Sequence, residues 1–192
     1  MTAALRVLPL VLSLPLLLPA QVPVFEVIQA DSKLGFFVKA SVNLEGKFKK
    51  WDASLKFTSP KAESGVLLIT AQADSVDAGS GMKEGKLKGD DFFAAKKHPE
   101  ITFRSTKVSA TGPDQYSIEG EFTIRGVSRQ ETLNLTVKRD QPNEGRIQGQ
   151  MAFDRRQYGM THGIPFIKIA DRVEVNVDLH VRRVSGPPIQ PN

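Results

Sequence analysis

A chain of 192 residues without cysteine can hold neither a disulfide nor a thiol nucleophile, so its stability must come from its core. Its formal charge of +5 is scattered, with no basic block, which argues against a nucleic-acid face. His98, His162 and His180 stand at no ligand spacing and no Gly-x-Ser-x-Gly elbow occurs, so no metal, cofactor or serine hydrolase is expected.

Residues 1–20, MTAALRVLPLVLSLPLLLPA, carry one positive charge, Arg6, then an apolar run from Val7 to Leu18 and a small residue after Pro19. The run is short for a membrane span, which needs about 20 apolar residues, and it predicts a cleaved secretory signal peptide. An export product in the periplasm or medium, with no stable membrane span after cleavage, is the expectation.

From residue 24 onward the pattern is strand after strand. KLGFFVKA places Leu34, Phe36 and Val38 on one face. In LEGKFKKWDASLKFTS the parity breaks between Phe48 and Trp51, which predicts a bulge at Lys49-Lys50. SGVLLITAQADS is apolar on both faces from Val66 to Ile69, so its parity is weakly specified. EITFRSTKV, SIEGEFTIR, TLNLTVK and RIQGQMAFD alternate with period two, as does RVEVNVDLHVR with Val173, Val175, Val177, Leu179 and Val181 on one side. Ser59-Pro60, Gly112-Pro113-Asp114, Gly126 and Pro142-Asn143-Glu144-Gly145 supply the turns. The expectation is eight or nine antiparallel strands in one domain over residues 21–184. Residues 185–192, with three prolines, are expected as a flexible tail, disordered or extended.

Residues 79–97 do not alternate, and Gly85 and Gly89 argue against a long helix. Short helical turns are expected there, with Asp90 or Asp91 as a cap and Phe92 and Phe93 leaning toward the same body. Such a chain must bury one face of its sheet, in a sandwich or a barrel. An eight-stranded barrel either fills with its own side chains or encloses one small apolar ligand. The residues alone leave both readings open.

Four runs in order resemble one family: DSKLGFFVKASVNLEGKF (31–48), DSVDAGSGMKEGKLKGDDFFAAKKHPEITFRS (74–105), GEFTIRGVSRQETL (120–133) and FDRRQYGM (153–160). Together they are similar to the YceI-like, polyisoprenoid-binding proteins. The resemblance implies an all-β, lipocalin-like extended antiparallel barrel of about eight strands, with a short helical insertion between strands. It also implies a long apolar pore for an isoprenoid or fatty-acid-like lipid, with no catalytic residue. Asp31-Ser32 and Ala40 stand where the family often carries histidines, so its head-group preference does not transfer. The expected lining is Phe36, Val38, Phe48, Leu55, Phe57, Leu68, Phe92, Phe93, Phe103, Phe122, Ile124, Leu135, Met151, Phe153, Tyr158 and Val177. Arg155 and Arg156 are candidates for head-group contact or for closing a loop. Two rival readings fit the same residues: an enzyme on an apolar substrate using Asp154, Arg155 or Tyr158, and a filled barrel that serves as an envelope interaction module. The sequence leaves the oligomeric state open, a homodimer included.

Overall fold

The computed structural model describes residues 21–41, 43–163 and 168–190; the expected signal peptide lies outside them. Among the described residues eleven strands follow one another: β1 (Val24–Val27), β2 (Lys33–Ala40), β3 (Leu44–Phe48), β4 (Trp51–Phe57), β5 (Gly65–Gln72), β6 (Val76–Asp77), β7 (Glu100–Gly112), β8 (Gln115–Ile124), β9 (Val127–Gln141), β10 (Glu144–Asp154) and β11 (Ile169–Ser185). One helix, α1 (Gly81–Lys88), interrupts them between β6 and β7.

The pairings reduce these segments to eight staves. β1 and β2 pair with successive parts of β11, Val27 opposite Val181 and Lys33 opposite Asp178. β3 continues into β4, and β5 into β6. β1 bonds to both β4 and β11, so the sheet closes into an eight-stranded antiparallel barrel. Closure leaves no stave without two neighbours, which removes the edge that an open sheet would expose.

Three staves are broken at one corner. A 3-10 turn (Gln29–Asp31) divides β1 from β2, a bend at Lys49-Lys50 divides β3 from β4, and a second 3-10 turn (Ala73–Ser75) divides β5 from β6. The breaks bond to one another. Gln29 Nε2 donates to the Trp51 carbonyl at 3.0 Å, and the Lys50 N–H donates to Ser75 Oγ at 3.1 Å. Ser32 Oγ donates to the Ile28 carbonyl at 2.7 Å and accepts from the His180 N–H at 2.8 Å, joining the first break to β11. These side chains satisfy backbone groups that the ladder gives up where the wall turns.

The bend at Lys49-Lys50 does what the expected bulge would do. Leu44 and Phe48 face inward before it, Ala53 and Leu55 after it, so the inward parity changes from even to odd. A second irregularity, at Thr106 in β7, left no mark in the sequence pattern: Phe103 and Ser105 face inward before it, Val108 after it. The insertion holds the expected short helical element. Its helix is continuous across Gly85, where an added Cβ would meet nothing within 4 Å. The position is solvent-facing, and a glycine there weakens the helix by only about 1 kcal/mol. Ser80, whose Oγ accepts from the Lys83 N–H at 3.4 Å, is the N-cap.

Candidate functional site

Inward side chains surround two chambers rather than one pore. The first lies toward the insertion, and its atoms leave ≈ 890 Å³ of space, mouth included. Of the expected lining, Phe36, Val38 and Phe48 come to it from β2 and β3, and Phe92 and Phe93 from the insertion. Phe103, Phe122, Ile124, Met151, Phe153 and Val177 complete that set from β7, β8, β10 and β11. Leu87 of α1 and Met160, which no periodicity marks, line it too.

Phe92 and Phe93 are adjacent in sequence yet both are buried, at 4% and 7% exposure. A strand could not do this, because neighbours point to opposite faces. Turns folded back on the end of α1 can: the Phe93 N–H donates to the Leu87 carbonyl at 2.9 Å, and Ala94 adopts φ 50°. The Phe93 ring sits 5.9 Å from that of Phe36 and 6.0 Å from that of Phe48. Neither Asp90 nor Asp91 caps this turn, as had been expected. Asp90 pairs with Lys97 at 2.9 Å and Asp91 with Lys86 at 2.7 Å. The Lys86 ammonium is the main cause holding the Asp91 carboxyl below its usual range, and Lys97 does the same for Asp90. The insertion is therefore held down by its own exposed ion pairs as well as by its rings. From the β8–β9 turn, where Arg125 and Gly126 both have positive φ as a type I′ hairpin requires, Arg125 Nη1 donates to the Phe92 carbonyl at 3.4 Å.

The second chamber lies at the other end, with ≈ 1000 Å³ of space, its mouth included. Leu55, Phe57 and Leu135 line this chamber, not the first. Leu68 lines neither and corrects the expectation: Leu67 and Ile69 face inward, and Leu68 points outward opposite Arg104. The two-sided apolar run of β5 gave no means of choosing its parity. Tyr158 also lines neither chamber. It is fully buried behind the lining, its ring 5.5 Å from Phe122 and 5.1 Å from Phe153.

Between the chambers the barrel has a waist, and no described residue lines both. Along β11, Val177 belongs to the first chamber, Val181 to the second, and Leu179, at 0% exposure, to neither. At the corresponding inward positions stand Ser105, Gly120 and Gly149. A Cβ on Gly120 would meet the Phe103 ring at 2.6 Å, and one on Gly149 would meet Leu135 Cδ2 at 2.4 Å. Side chains of adjacent staves thus cross over the glycines and narrow the bore. Ser105 Oγ accepts the Leu67 N–H at 2.9 Å beside the Thr106 irregularity, where the ladder itself is shifted.

A model of the YceI-like domain matches residues 25–181. The chain belongs to the YceI-like family. Among solved structures it is similar to Burkholderia cenocepacia BcnA, at 29% identity and TM-score 0.74, over 81% of this chain and 99% of that one. A Campylobacter jejuni YceI protein is 25% identical with TM-score 0.62, over 75% and 87% of the two chains. A polyisoprenoid binding domain of Saccharophagus degradans implicated in plant cell wall breakdown shares the fold, with TM-score 0.68 at 14% identity over 84% and 99%. A UPF0312 protein of Azotobacter vinelandii is 33% identical over 86 residues, 45% of each chain. The match therefore spans about half the length of such relatives.

In this YceI-like barrel the charged residue lining the first chamber is Arg155, at 6% exposure. Its Nε donates to the Ala170 carbonyl at 3.2 Å, its Nη1 to the carbonyls of Met160 and, at 2.9 Å, His162, and its Nη2 pairs with Asp171 at 3.0 Å. These bonds tie the loop after β10 to the start of β11. Arg156 is exposed and reaches the same Asp171 at 3.3 Å. Asp154 accepts the Arg156 N–H at 2.9 Å as the cap of a 3-10 turn (Arg155–Tyr158). The Tyr158 hydroxyl donates to Glu131 at 2.7 Å, and burial first, then Glu131, pushes its ionisation up. Of Asp31-Ser32 and Ala40, which stand where the resembled family often carries histidines, Ser32 joins a strand break to β11 and Ala40 pairs with Ile169. Among the described residues no group of three or more potential metal ligands occurs.

Proposed function

We propose that this protein is an exported, periplasmic or secreted carrier that sequesters a long-chain amphiphilic lipid, an isoprenoid, with its chain in the first chamber. The observation that carries this reading is the chamber's lining of Phe, Leu, Ile, Val and Met, in which the charged group, Arg155, is already spent on protein carbonyls and Asp171. Such a surface binds by burial, at roughly 0.8 kcal/mol per CH₂ removed from water, and offers little to a polar molecule. Eight staves leave a bore suited to one narrow chain. The polyisoprenoid binding domain of Saccharophagus degradans, built on the same fold, supports the isoprenoid assignment. Binding without turnover is supported by the groups nearest to chemistry: Asp154 caps a turn, Arg155 closes a loop and Tyr158 is held by Glu131.

Refolding with a C20 isoprenoid alcohol, followed by gel filtration, tests the reading. Phe93→Asp places a carboxylate in the lining and is expected to abolish retention. Lys97→Asp, on the exposed side of the same insertion, is expected to retain the lipid. Equal retention by both variants refutes the assignment of Phe93 to the site, and recovery of a chemically altered lipid refutes a carrier.

A further inference from the structure

The second chamber has no part in the reading above, and its construction differs. Its walls are apolar, with Phe25 and Phe57 ring to ring at 5.7 Å and Leu55, Ile118 and Ile147 around them. Its mouth is polar. The β9–β10 turn brings Gln141, Asn143 and Glu144 to the rim, and two guanidiniums stand beside them. Arg139 pairs with Asp114 at 2.9 Å, and Arg183 donates to the Gly186 carbonyl at 2.5 Å and to the Asn143 side chain. A guanidinium has five N–H donors, more than these contacts use. Glu144, the acidic residue of the lining, lies 3.3 Å from His180 Nε2 on the outer wall, and Arg183, unlike Arg139, has no carboxylate partner among the described residues.

The C-terminal segment completes the chamber. Pro188 and Ile189 form part of its wall, and the Gln190 N–H donates to the Pro60 carbonyl at 2.9 Å. The turn into this segment is at Gly186, with φ 77°, where an added Cβ would meet the Val22 carbonyl oxygen at 2.0 Å. Only glycine fits that backbone and that approach. At the inner end the waist of Leu179, Ser105, Gly120 and Gly149 lies between the chamber and the first, and no described residue lines both.

We propose that this chamber is a second binding site, independent of the first, for a single-chain amphiphile with an anionic head. The alkyl chain lies among Phe25, Leu55, Phe57 and Ile147, and the head meets Arg139 and Arg183 at the rim. The waist bounds its depth, and a single alkyl chain fills it. Both chambers are occupied at once without contact between their ligands.

Dodecanoate serves as the probe, titrated by calorimetry into delipidated full-length protein with and without geranylgeraniol. One equivalent of dodecanoate binds in both cases. Arg139→Gln/Arg183→Gln weakens it by roughly tenfold or more, the scale of a lost charge-assisted bond, and leaves geranylgeraniol binding unchanged. Leu55→Trp, which fills the chamber, abolishes dodecanoate binding alone; circular dichroism verifies that both variants are folded. One-for-one competition between dodecanoate and geranylgeraniol overturns the proposal, because it means one continuous bore. Unchanged dodecanoate affinity in both variants overturns it as well. If geranylgeraniol does not bind, the isoprenoid reading fails, and the two variants still decide the second site alone.

Discussion

The two ends of this barrel are built from the same eight staves and the same alternation, yet they enclose different environments. What separates them is the chain that closes each end. The first chamber is capped by an insertion that contributes Leu87, Phe92 and Phe93, so its end is as apolar as its wall. The second is capped by a hairpin turn and a proline-rich segment, with Asn143 of the turn beside Arg139 and Arg183 at the ends of β9 and β11, on the rim of an otherwise apolar cup. A regular barrel wall sets the bore, and the irregular connections at its ends set what each half accepts.

The largest way to break this contrast is Phe93→Asp. It puts a carboxylate between the Phe36 and Phe48 rings, and a destabilisation of about 3 kcal/mol or more in urea unfolding is expected, with loss of lipid from the first chamber. Next is Arg155→Met, which keeps the apolar stem but leaves the carbonyls of Met160, His162 and Ala170 without their donor. A loss of about 2–3 kcal/mol is expected by the same measurement, and faster amide exchange at the start of β11. Ser105→Ala tests the waist. The Leu67 N–H loses its acceptor, so a loss of about 1–2 kcal/mol is expected in chemical denaturation, with the strand order unchanged by backbone NMR. Deleting residues 187–192 is expected to change the thermal midpoint little and to speed dodecanoate exchange at the second chamber only, read by stopped-flow.

The smallest effect concerns acid. Asp90 and Asp91 have carboxyls held below their ordinary 3.8 by Lys97 and Lys86. A carboxyl depressed in the folded state stabilises it above the unfolded value and loses that contribution as pH falls through the folded one. These pairs are exposed, so the contribution is modest. Asp90→Asn/Asp91→Asn is expected to lower the thermal midpoint slightly at neutral pH and to shrink the drop in midpoint between about pH 5 and pH 3.

The strands were legible wherever one face was polar. β11 alternates without exception from Val173 to Val181, and its inward face could be read directly. Leu68 could not be assigned, because its neighbours are apolar on both sides. The bend at Lys49-Lys50 showed itself as a parity change, whereas the one at Thr106 is hidden among Ser105, Thr106 and Lys107, which carry no hydrophobic signal. The waist is the least legible feature. It consists of two glycines, a serine and one leucine on four staves, and no single strand records that they share a level. The tail reads as flexible or extended from its prolines; in its described part Gly186 turns the chain against Val22 and Gln190 bonds to Pro60, contacts that no sequence pattern marks.

Mass spectrometry of an organic extract of the purified protein is the most direct measurement. Wild-type protein taken from its own cell envelope should yield a stoichiometric isoprenoid-chain lipid, absent from the Phe93→Asp extract. Empty extracts from both the envelope-derived protein and protein refolded with lipid would contradict a lipid-binding first chamber.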